Sequence, residues 1–266
     1  MNQIIVAVFD NESAAFEGLH ELRELHKEGG VSLYASAVIV KDKAGVITVK
    51  QEADREPAGL TVGMLVGGLV GALGGPAGVP IGGAIGGLWG VVFDLAKFGI
   101  DLAFLDDVSK ALTPGKAAVL AEVEESWSSL LDERLGKHGG VVYRRFRADV
   151  VDDQLARRGA ALEASLSTLQ QEFEQSTAQD RAAIQNEIEQ TKRQIKATQG
   201  QAAVSLEQAQ AEMTARIKTL QDQAKQASAQ AKARIEKRIA DVRADFELRS
   251  KKLSQALKLA KEALAA

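Results

Sequence analysis

Few residues of this 266-residue chain have the types and spacing that catalysis or metal binding requires. The segment Thr113–Ala117 contains a Gly-Lys pair, as phosphate-binding loops do. However, Lys110 stands where the first glycine is needed, and Ala117 replaces the hydroxyl that would bind magnesium, so we expect no phosphate loop. His20 and His26 are six residues apart on a predicted helix and therefore on different faces. We expect two solvated histidines rather than a metal site.

Three neighbouring glutamates are the remaining candidates for acid–base chemistry. Glu122, Glu124 and Glu125 have no base, nucleophile or metal ligand near them in the sequence, so we expect a solvated strand end. Cysteine is absent and histidine occurs three times, which excludes disulfides and thiolate zinc sites. With 33 basic and 36 acidic residues, the chain lacks the charge of a nucleic-acid binder. We predict that the protein is not an enzyme and that it uses no cofactor and no metal.

Residues 1–58 and 105–148 predict the two parts of one α+β domain. Apolar runs predict the strands, and the helices lie between polar capping residues and glycines. The predicted elements are, in order, a strand at 4–9, a helix ending at Gly29-Gly30, a hairpin of strands at 31–40 and 46–50, a strand at 116–123, a helix at 126–135 and a strand at 141–146. This order predicts a ferredoxin-like core with one additional edge strand and an insertion in its middle.

The inserted stretch, residues 59–104, has glycines at a regular spacing of four residues. The two series are Gly59, Gly63, Gly67, Gly71 and Gly75, then Gly78, Gly82, Gly86 and Gly90. Residues four apart lie on one helix face, so each series leaves a groove against which another helix can pack closely. The stretch Gly74–Pro80, where the two series meet, contains two prolines and three glycines and favours a turn. We therefore predict a glycine-zipper helical hairpin for helix packing or membrane contact, with Trp89 on its second arm.

The environment of this hairpin is restricted by its lack of charge. No charged residue occurs from Pro57 to Phe93, a run of 37 residues that has no evident aqueous surface. The first arm, Leu60–Leu73, is about 14 residues or roughly 21 Å long, which is shorter than the ~20 residues that span a bilayer. Charged residues follow in the second arm, whose far half we expect to be interfacial. Two environments remain open: lipid, or the glycine-packed core of a soluble oligomer.

Three pieces of the chain resemble a bacterial family of predicted membrane proteins, the domain of unknown function 1269. They are Val8–Asn11 with the helix that follows, the glycine hairpin at 60–90, and Leu105–Val108 leading into 112–120. The resemblance covers residues 3–148. It implies a ferredoxin-like core with an inserted glycine-zipper hairpin and a link to a membrane, but no activity and no catalytic residues. The tail after residue 148 departs from the short members of that family.

Residues 149–266 predict a long α-helical coiled coil. Apolar residues recur every three or four positions, and the predicted seam includes Leu155, Leu162, Leu166, Leu169, Phe173, Ile217 and Leu220. An unbroken helix of this length would extend roughly 175 Å. Gly200 marks either a hairpin or a glycine that a continuous helix tolerates. Alanine-rich parts of the seam bury little area, so partner helices are expected, and the tail predicts homo-oligomerisation or a long spacer.

Charge and the N-terminus bear on where the protein resides. Residues 224–266 carry 11 basic and 5 acidic residues, which either meet anionic lipid or an acidic stretch of a neighbour, or form a solvated face. The first residues lack the basic region of a signal peptide, so we expect a cytoplasmic protein at the inner face of the cytoplasmic membrane.

Two classes of function are compatible with these features. The first is a membrane-associated, self-assembling structural protein, whose partners are its own copies and membrane lipid. In this reading the glycine-zipper hairpin contacts lipid and the coiled coil drives oligomerisation. The alternative is a ferredoxin-like module that binds a ligand or partner within a soluble homo-oligomer. Neither class involves nucleic acid.

Overall fold

The structure is a computed structural model that describes residues 2–52, 100–125, 128–146, 150–177 and 179–265, together with Gly68 and Leu73. Most of the predicted glycine-zipper hairpin, including every glycine of the two series and Trp89, lies outside the described residues. The chain divides into two compact units. The first contains Met1–Asp149 and Thr214–Val242, and the second contains Val150–Met213 and Arg243–Ala266.

An antiparallel five-stranded sheet forms the centre of the first unit. The strands are β1 (Asn2–Phe9), β2 (Val31–Lys41), β3 (Ile47–Glu52), β4 (Ala117–Glu125) and β5 (Val141–Phe146), and their order in the sheet is β3-β2-β4-β1-β5. Each predicted strand is present, and its bounds differ by at most two residues, because strand ends depend on pairing partners that one sequence does not give. The α+β class of the prediction is confirmed.

Two helices cover one face of the sheet: α1 (Glu12–Lys27) and α3 (Ser128–Gly136). The side chain of Asn11 accepts a hydrogen bond from the N–H of Ala14 and so caps the start of α1. Gly29, at φ +74°, lies just past the end of α1, where only glycine adopts this conformation without strain. Leucines at helical spacing on α1 and the apolar residues of β1 and β4 form the core between these layers.

The opposite face of the sheet is covered at one end by α2 (Leu102–Ala111). Asp101 caps this helix by accepting a hydrogen bond from the N–H of Phe104 at 2.7 Å. Phe104 is fully buried against the sheet. Leu73, from the glycine-rich stretch, and Ile100 belong to the same apolar cluster and are 6% and 2% exposed. One residue of the uncharged stretch therefore lies in the apolar core of the first unit.

Three helices account for the tail: α4 (Val150–Gln175), α5 (Arg181–Gln226) and α6 (Ala229–Ala265). The chain is not helical at residues 176–177, 179–180 and 227–228, where Ser176, Thr177 and Ser228 hydrogen-bond to nearby backbone or side-chain groups. Gly200 lies inside α5, so the alternative of a hairpin at Gly200 was wrong. An interior glycine costs only about 1 kcal/mol, less than the loss of a full helical turn of hydrogen bonds.

Within the second unit, α4 and the included parts of α5 and α6 pack side by side. One cluster contains Leu155, Ala202 and Leu253, and another contains Leu166, Ile195 and Ala260. From the first cluster to the second, the residue numbers increase on α4 and α6 but decrease on α5. Helix α5 therefore runs antiparallel to both neighbours.

The predicted seam is divided between the two units. Leu155 and Leu166 are buried, and Leu162, Leu169 and Phe173 are partly buried, all on α4. Ile217 is partly buried and Leu220 fully buried, on the part of α5 that belongs to the first unit. The prediction of one separate tail domain over residues 149–266 therefore differs from the structure, because residues 214–242 pack as part of the first unit.

Candidate functional site

Residues 214–242, which we call the helical tip, form a layer of the first unit. The helical tip consists of the end of α5, the turn at Ala227-Ser228 and the start of α6. Leu220, Ala231 and Ile235 have no exposed surface. The contact is close: a Cβ atom added to Gly29 would lie 2.6 Å from Cβ of Ala231. Apolar packing of small side chains therefore holds the tip near the start of β2.

A buried ion pair joins the helical tip to β4. Glu122 lies on the same face of β4 as Ala118 and Leu120, because side chains alternate along a strand. A guanidinium nitrogen of Arg216, on α5, donates a hydrogen bond to the carboxylate of Glu122. Asn2 also donates to this carboxylate, at 2.8 Å. The side chains of Arg216 and Glu122 are only 10% and 11% exposed, so the pair is largely shielded from water.

A tyrosine on β2 completes the contact with the next carboxylate of β4. The hydroxyl of Tyr34 donates to Oε2 of Glu124 at 2.6 Å, and the guanidinium of Arg216 lies 5.0 Å from the centre of the Tyr34 ring. The pairing of β2 with β4 shifts register between Leu33 and Ala35, which is where Tyr34 stands. Burial and the Glu124 carboxylate raise the pKa of Tyr34 far above its ordinary value, so the hydroxyl remains a hydrogen-bond donor.

The third part of the site connects α6 to the start of β2. Nη1 of Arg238 donates to the hydroxyl of Ser32 at 2.8 Å, and Nη2 donates to the carbonyl of Gly30 at 3.1 Å. The Ser32 hydroxyl in turn donates to Gln223, at 2.8 Å. Burial lowers the pKa of Arg238, whereas the nearby Glu124 carboxylate acts in the opposite direction.

Gln223 links the ends of α1 and β2. Its amide nitrogen donates to the backbone carbonyls of His26, at 2.6 Å, and Val31, at 2.8 Å. The side chain is 3% exposed, and both its amide oxygen and its amide nitrogen form hydrogen bonds. Since buried polar groups without partners are costly, this arrangement fixes the position of α5 relative to the sheet. We call the whole set, Ser32, Tyr34, Glu122, Glu124, Arg216, Gln223 and Arg238, the polar cluster.

The polar cluster corrects the prediction for the three glutamates. Glu122, Glu124 and Glu125 are 9%, 8% and 5% exposed, so the solvated strand end was wrong. Glu125 points to the other face, where it accepts a hydrogen bond from Arg144 at 3.0 Å. Arg216 and Gln223, seven residues apart on one face of α5 beside the apolar Leu220, were the sequence signal for buried polar partners.

The prediction of two solvated histidines holds for His20 and was wrong for His26. His20 is exposed, whereas His26 is partly buried and its Nδ1 accepts a hydrogen bond from the N–H of Leu33 at 3.1 Å. Burial, and then the positive charge of Arg238, lower the pKa of His26. The neutral ring therefore serves as a hydrogen-bond acceptor at the end of α1.

The Gly-Lys pair lies in a turn before β4. Gly115 has φ +92°, its N–H donates to the carbonyl of Lys41 at 2.7 Å, and Nζ of Lys116 lies 3.0 Å from Asp10. These contacts give the pair a structural role in joining β2 and β4. Among the described residues, no group of three or more histidine, aspartate or glutamate side chains is arranged to hold a metal ion.

The basic end of the tail also finds acidic groups of the same chain. Arg238 contributes to the polar cluster in the first unit. In the second unit Arg249 pairs with Asp152 at 2.7 Å and with Glu212 at 3.3 Å, and Lys252 pairs with Asp153 at 2.7 Å. Several basic side chains that we expected to meet lipid, a neighbour or solvent therefore bind to groups of the same chain.

In the part of the chain that the structure describes, no helix combines the length and the apolar character needed to cross a membrane. The glycine series and Trp89 lie outside that part, so this finding concerns the described helices alone.

Comparison with known proteins identifies a domain but no activity. Residues 59–160 match the family described as "Protein of unknown function (DUF1269)". The recognised resemblance is thereby confirmed, although the match begins later and ends further along the chain than the 3–148 inferred from the sequence. No curated protein and no solved structure matches the chain.

Proposed function

We propose that this chain is a membrane-associated, self-assembling structural protein that acts at the inner face of the cytoplasmic membrane. The observation that carries the proposal is the uncharged run of 37 residues from Pro57 to Phe93, with its two four-residue glycine series. A run of this kind is stabilised by lipid or by close helix packing, because both remove its apolar side chains from water and helices satisfy the backbone hydrogen bonds internally. It connects β3 to α2, so the hairpin is an insertion in the sheet domain.

The finer architecture in this proposal is a ferredoxin-like core. Leaving out β3, the strand order β5-β1-β4-β2 and the two helices on one face agree with the βαββαβ arrangement of that fold. The hairpin strand β3 then adds an edge beside β2. The order of elements supports the same reading, because the glycine-rich stretch falls between the two halves of the arrangement.

The role of the tail in self-assembly follows from where its apolar seam is buried. Leu155 and Leu166 pack against α5 and α6 of the same chain. These seam positions are therefore buried without contact with a second copy. In our proposal the coiled-coil tail stabilises the individual chain through antiparallel helices. Contacts between copies use the glycine-zipper hairpin and a surface of the sheet domain.

Catalysis has no part in this proposal. The charged members of the polar cluster are directed at other protein groups, with Arg216 on Glu122 and Arg238 on Ser32. Such pairs hold the helical tip on the sheet and lack a nucleophile beside a free base. In some proteins a buried pair of this type contributes to conformational specificity, and such a contribution suits a structural role.

The test uses the full-length chain and two glycine positions. The wild type should float with vesicles of phosphatidylethanolamine and phosphatidylglycerol, and its solution mass should exceed that of one chain. Gly67→Ile and Gly86→Ile should each reduce the assembled mass, because a branched side chain in the groove costs roughly 1–3 kcal/mol of packing energy. Gly67→Ala and Gly86→Ala are matched controls with a smaller side chain. Complete recovery without lipid or detergent, at unchanged mass for the isoleucine variants, contradicts the proposal.

A second function is favoured by one described residue of the uncharged stretch. Leu73 is 6% exposed and packs in the same cluster as Ile100 and Phe104. If the whole stretch packs on protein in this way, the chain is a partner- or ligand-binding module of a soluble homo-oligomer. Recovery of an assembled protein in the soluble fraction without detergent, combined with loss of mass in Gly67→Ile, supports this alternative.

A further inference from the structure

The edge strand β5 has features of an unprotected edge. Among the described strands it pairs only with β1, whereas β1, β2 and β4 each have two neighbours. Every second backbone N–H and C=O group of an edge strand points away from the sheet and is available for another strand. Its sequence, Val-Val-Tyr-Arg-Arg-Phe, contains no proline, no glycine and no acidic residue.

The two ends of β5 expose large apolar side chains. Val141 is 57% exposed and Phe146 is 62% exposed. Natural sheets usually protect their edges with lysine, proline or bulges. The opposite edge, β3, carries Lys50, and its pairing with β2 contains a register shift between Val38 and Ile39. The β3 edge is therefore interrupted by a register shift, whereas β5 pairs with β1 without one and presents a regular edge. The two arginines of β5, Arg144 and Arg145, each pair with an acidic side chain of the same chain.

We propose that β5 pairs with β5 of a second copy of this chain, in an antiparallel ladder centred on Arg144, to form a continuous ten-stranded sheet. The proposal deepens the self-assembly part of the proposed function and rests on it. A twofold axis perpendicular to the sheet keeps equivalent faces of both sheets on the same side. Residues whose numbers differ by an even amount therefore stand opposite each other, and Arg144 stands opposite itself.

This register places complementary side chains opposite each other. Phe146 and Val142 lie on the face covered by α1 and α3, because they stand opposite Gln3 and Ala7 of β1. In the ladder, Phe146 contacts the partner's Val142. By symmetry, Val142 contacts the partner's Phe146, so the dimer contains two such apolar pairs. On the other face Tyr143 stands opposite the partner's Arg145, a residue whose charge is paired with Asp101 of its own chain at 3.3 Å.

The central arginine is compatible with this arrangement because its charge is compensated within each chain. Arg144 pairs with Glu125 at 3.0 Å and with Asp132 at 2.5 Å. In the dimer, each Arg144 guanidinium keeps the two acidic side chains of its own chain. These negative charges offset the repulsion between the two arginines across the twofold axis. A strand from an unrelated protein would lack this self-complementary pairing of both faces.

The absence of cysteine makes the register directly testable by crosslinking. In the full-length double variant Val142→Cys/Phe146→Cys, the two cysteines of one chain are about 13 Å apart along the strand, too far for a disulfide. In the ladder each cysteine lies opposite the other cysteine of the partner. We expect a disulfide-linked dimer of twice the single-chain mass after mild oxidation. Lys50→Cys, on the opposite edge β3, is the control and should remain uncrosslinked.

A mass measurement tests the same surface without cysteines. Phe146→Glu should weaken self-association about tenfold or more, because it removes both apolar pairs and places a carboxylate against the partner's Val142. Leu248→Glu is a matched control, since Leu248 is also 62% exposed but lies on α6 in the second unit. Phe146 is exposed, so the variant should fold, which circular dichroism checks.

The outcomes separate this proposal from the membrane proposal. Crosslinking of the double variant together with a loss of mass in Phe146→Glu supports the β5 ladder. An uncrosslinked double variant, equal crosslinking of Lys50→Cys, or equal masses for Phe146→Glu and wild type overturns it. Recovery with vesicles is measured on the same samples, and a change there without a change in crosslinking concerns only the membrane proposal.

Discussion

Arg216 of α5 and Glu122 of β4 form a buried ion pair across 94 residues of sequence. Arg216 also lies over the ring of Tyr34, whose hydroxyl donates to Glu124, so one arginine contacts both β4 and β2. Two charges leave water when residues 214–242 pack on the sheet. Their mutual attraction compensates the loss of hydration only while both partners are present. The helical tip is therefore held to the sheet by a contact that is sensitive to the removal of either partner.

The first prediction concerns this ion pair. Arg216→Met should lower the free energy of unfolding by about 3–5 kcal/mol, because it leaves the Glu122 carboxylate buried without its main cation. The double variant Glu122→Gln/Arg216→Met should lose less than the sum of the two single changes, since neither charge is then stranded. Urea denaturation measures all three. Lys110→Met, which breaks the exposed pair with Asp106, is the control and should leave the stability nearly unchanged. Additive effects would contradict direct coupling.

The second prediction tests the apolar contact of the helical tip through Gly29. Gly29→Ala should destabilise the protein by about 1–2 kcal/mol from the left-handed backbone and by roughly 1–3 kcal/mol more from the clash with Ala231. Gly45→Ala separates the two effects, because Gly45 also has a positive φ but an added Cβ meets nothing within 4 Å.

Removing the clashing methyl group provides a second check on Gly29. The double variant Gly29→Ala/Ala231→Gly should recover part of the stability lost in Gly29→Ala, as measured by thermal unfolding. If Ala231→Gly brings no recovery in that background, residues 29 and 231 are not in contact in solution.

Most elements of the sheet domain are determined by local patterns in the sequence. The strands around Val6, Val38 and Val119 follow from local apolar runs and their turns, and the start of α1 follows from Asn11. Local patterns of this kind depend on neighbours within a few residues. Sequence reasoning therefore recovered the elements of the sheet domain and the helical character of the tail.

The polar cluster depended on contacts that local patterns do not encode. Glu122 and Glu124 resemble a solvated strand end because acidic residues are usually exposed, and their cations lie about a hundred residues away. The seam was recognised, but the sequence did not show whether its partner is another copy or another part of the same chain. Contacts between residues far apart in the sequence depend on the tertiary structure, and the contact of the helical tip with the sheet is the main example in this protein.

The third prediction concerns the buried seam of the second unit. Leu166 is 2% exposed and packs with Ile195 and Ala260 of the same chain. Leu166→Ala should lower the free energy of unfolding by about 2–5 kcal/mol. Because these contacts are within one chain, the loss should not vary with protein concentration. Leu248→Ala, at a 62% exposed position of α6, should cost less than about 0.5 kcal/mol. A loss at Leu166 that grows on dilution would instead place a second copy on the seam.

The fourth prediction is a dependence of stability on pH that originates at His26. Burial and the charge of Arg238 hold the pKa of His26 below its ordinary value of 6.5. Between the lowered pKa and about 6.5, the unfolded chain binds more protons at this residue than the folded chain does. Stability from His26 is therefore complete above about pH 6.5 and falls as the pH is lowered through that window. Protonation also removes the acceptor at Nδ1 that the N–H of Leu33 uses.

His26→Asn is the variant that isolates this effect, since asparagine offers an oxygen acceptor and does not titrate. Urea midpoints between pH 5 and 8 should fall less steeply toward acid for the variant than for the wild type. The difference between the two proteins at pH 8 gives the pH-independent cost of the substitution, so only the change below about pH 6.5 bears on the protonation of His26. Parallel curves across this range would show that the ring is protonated in the folded protein as readily as in the unfolded chain.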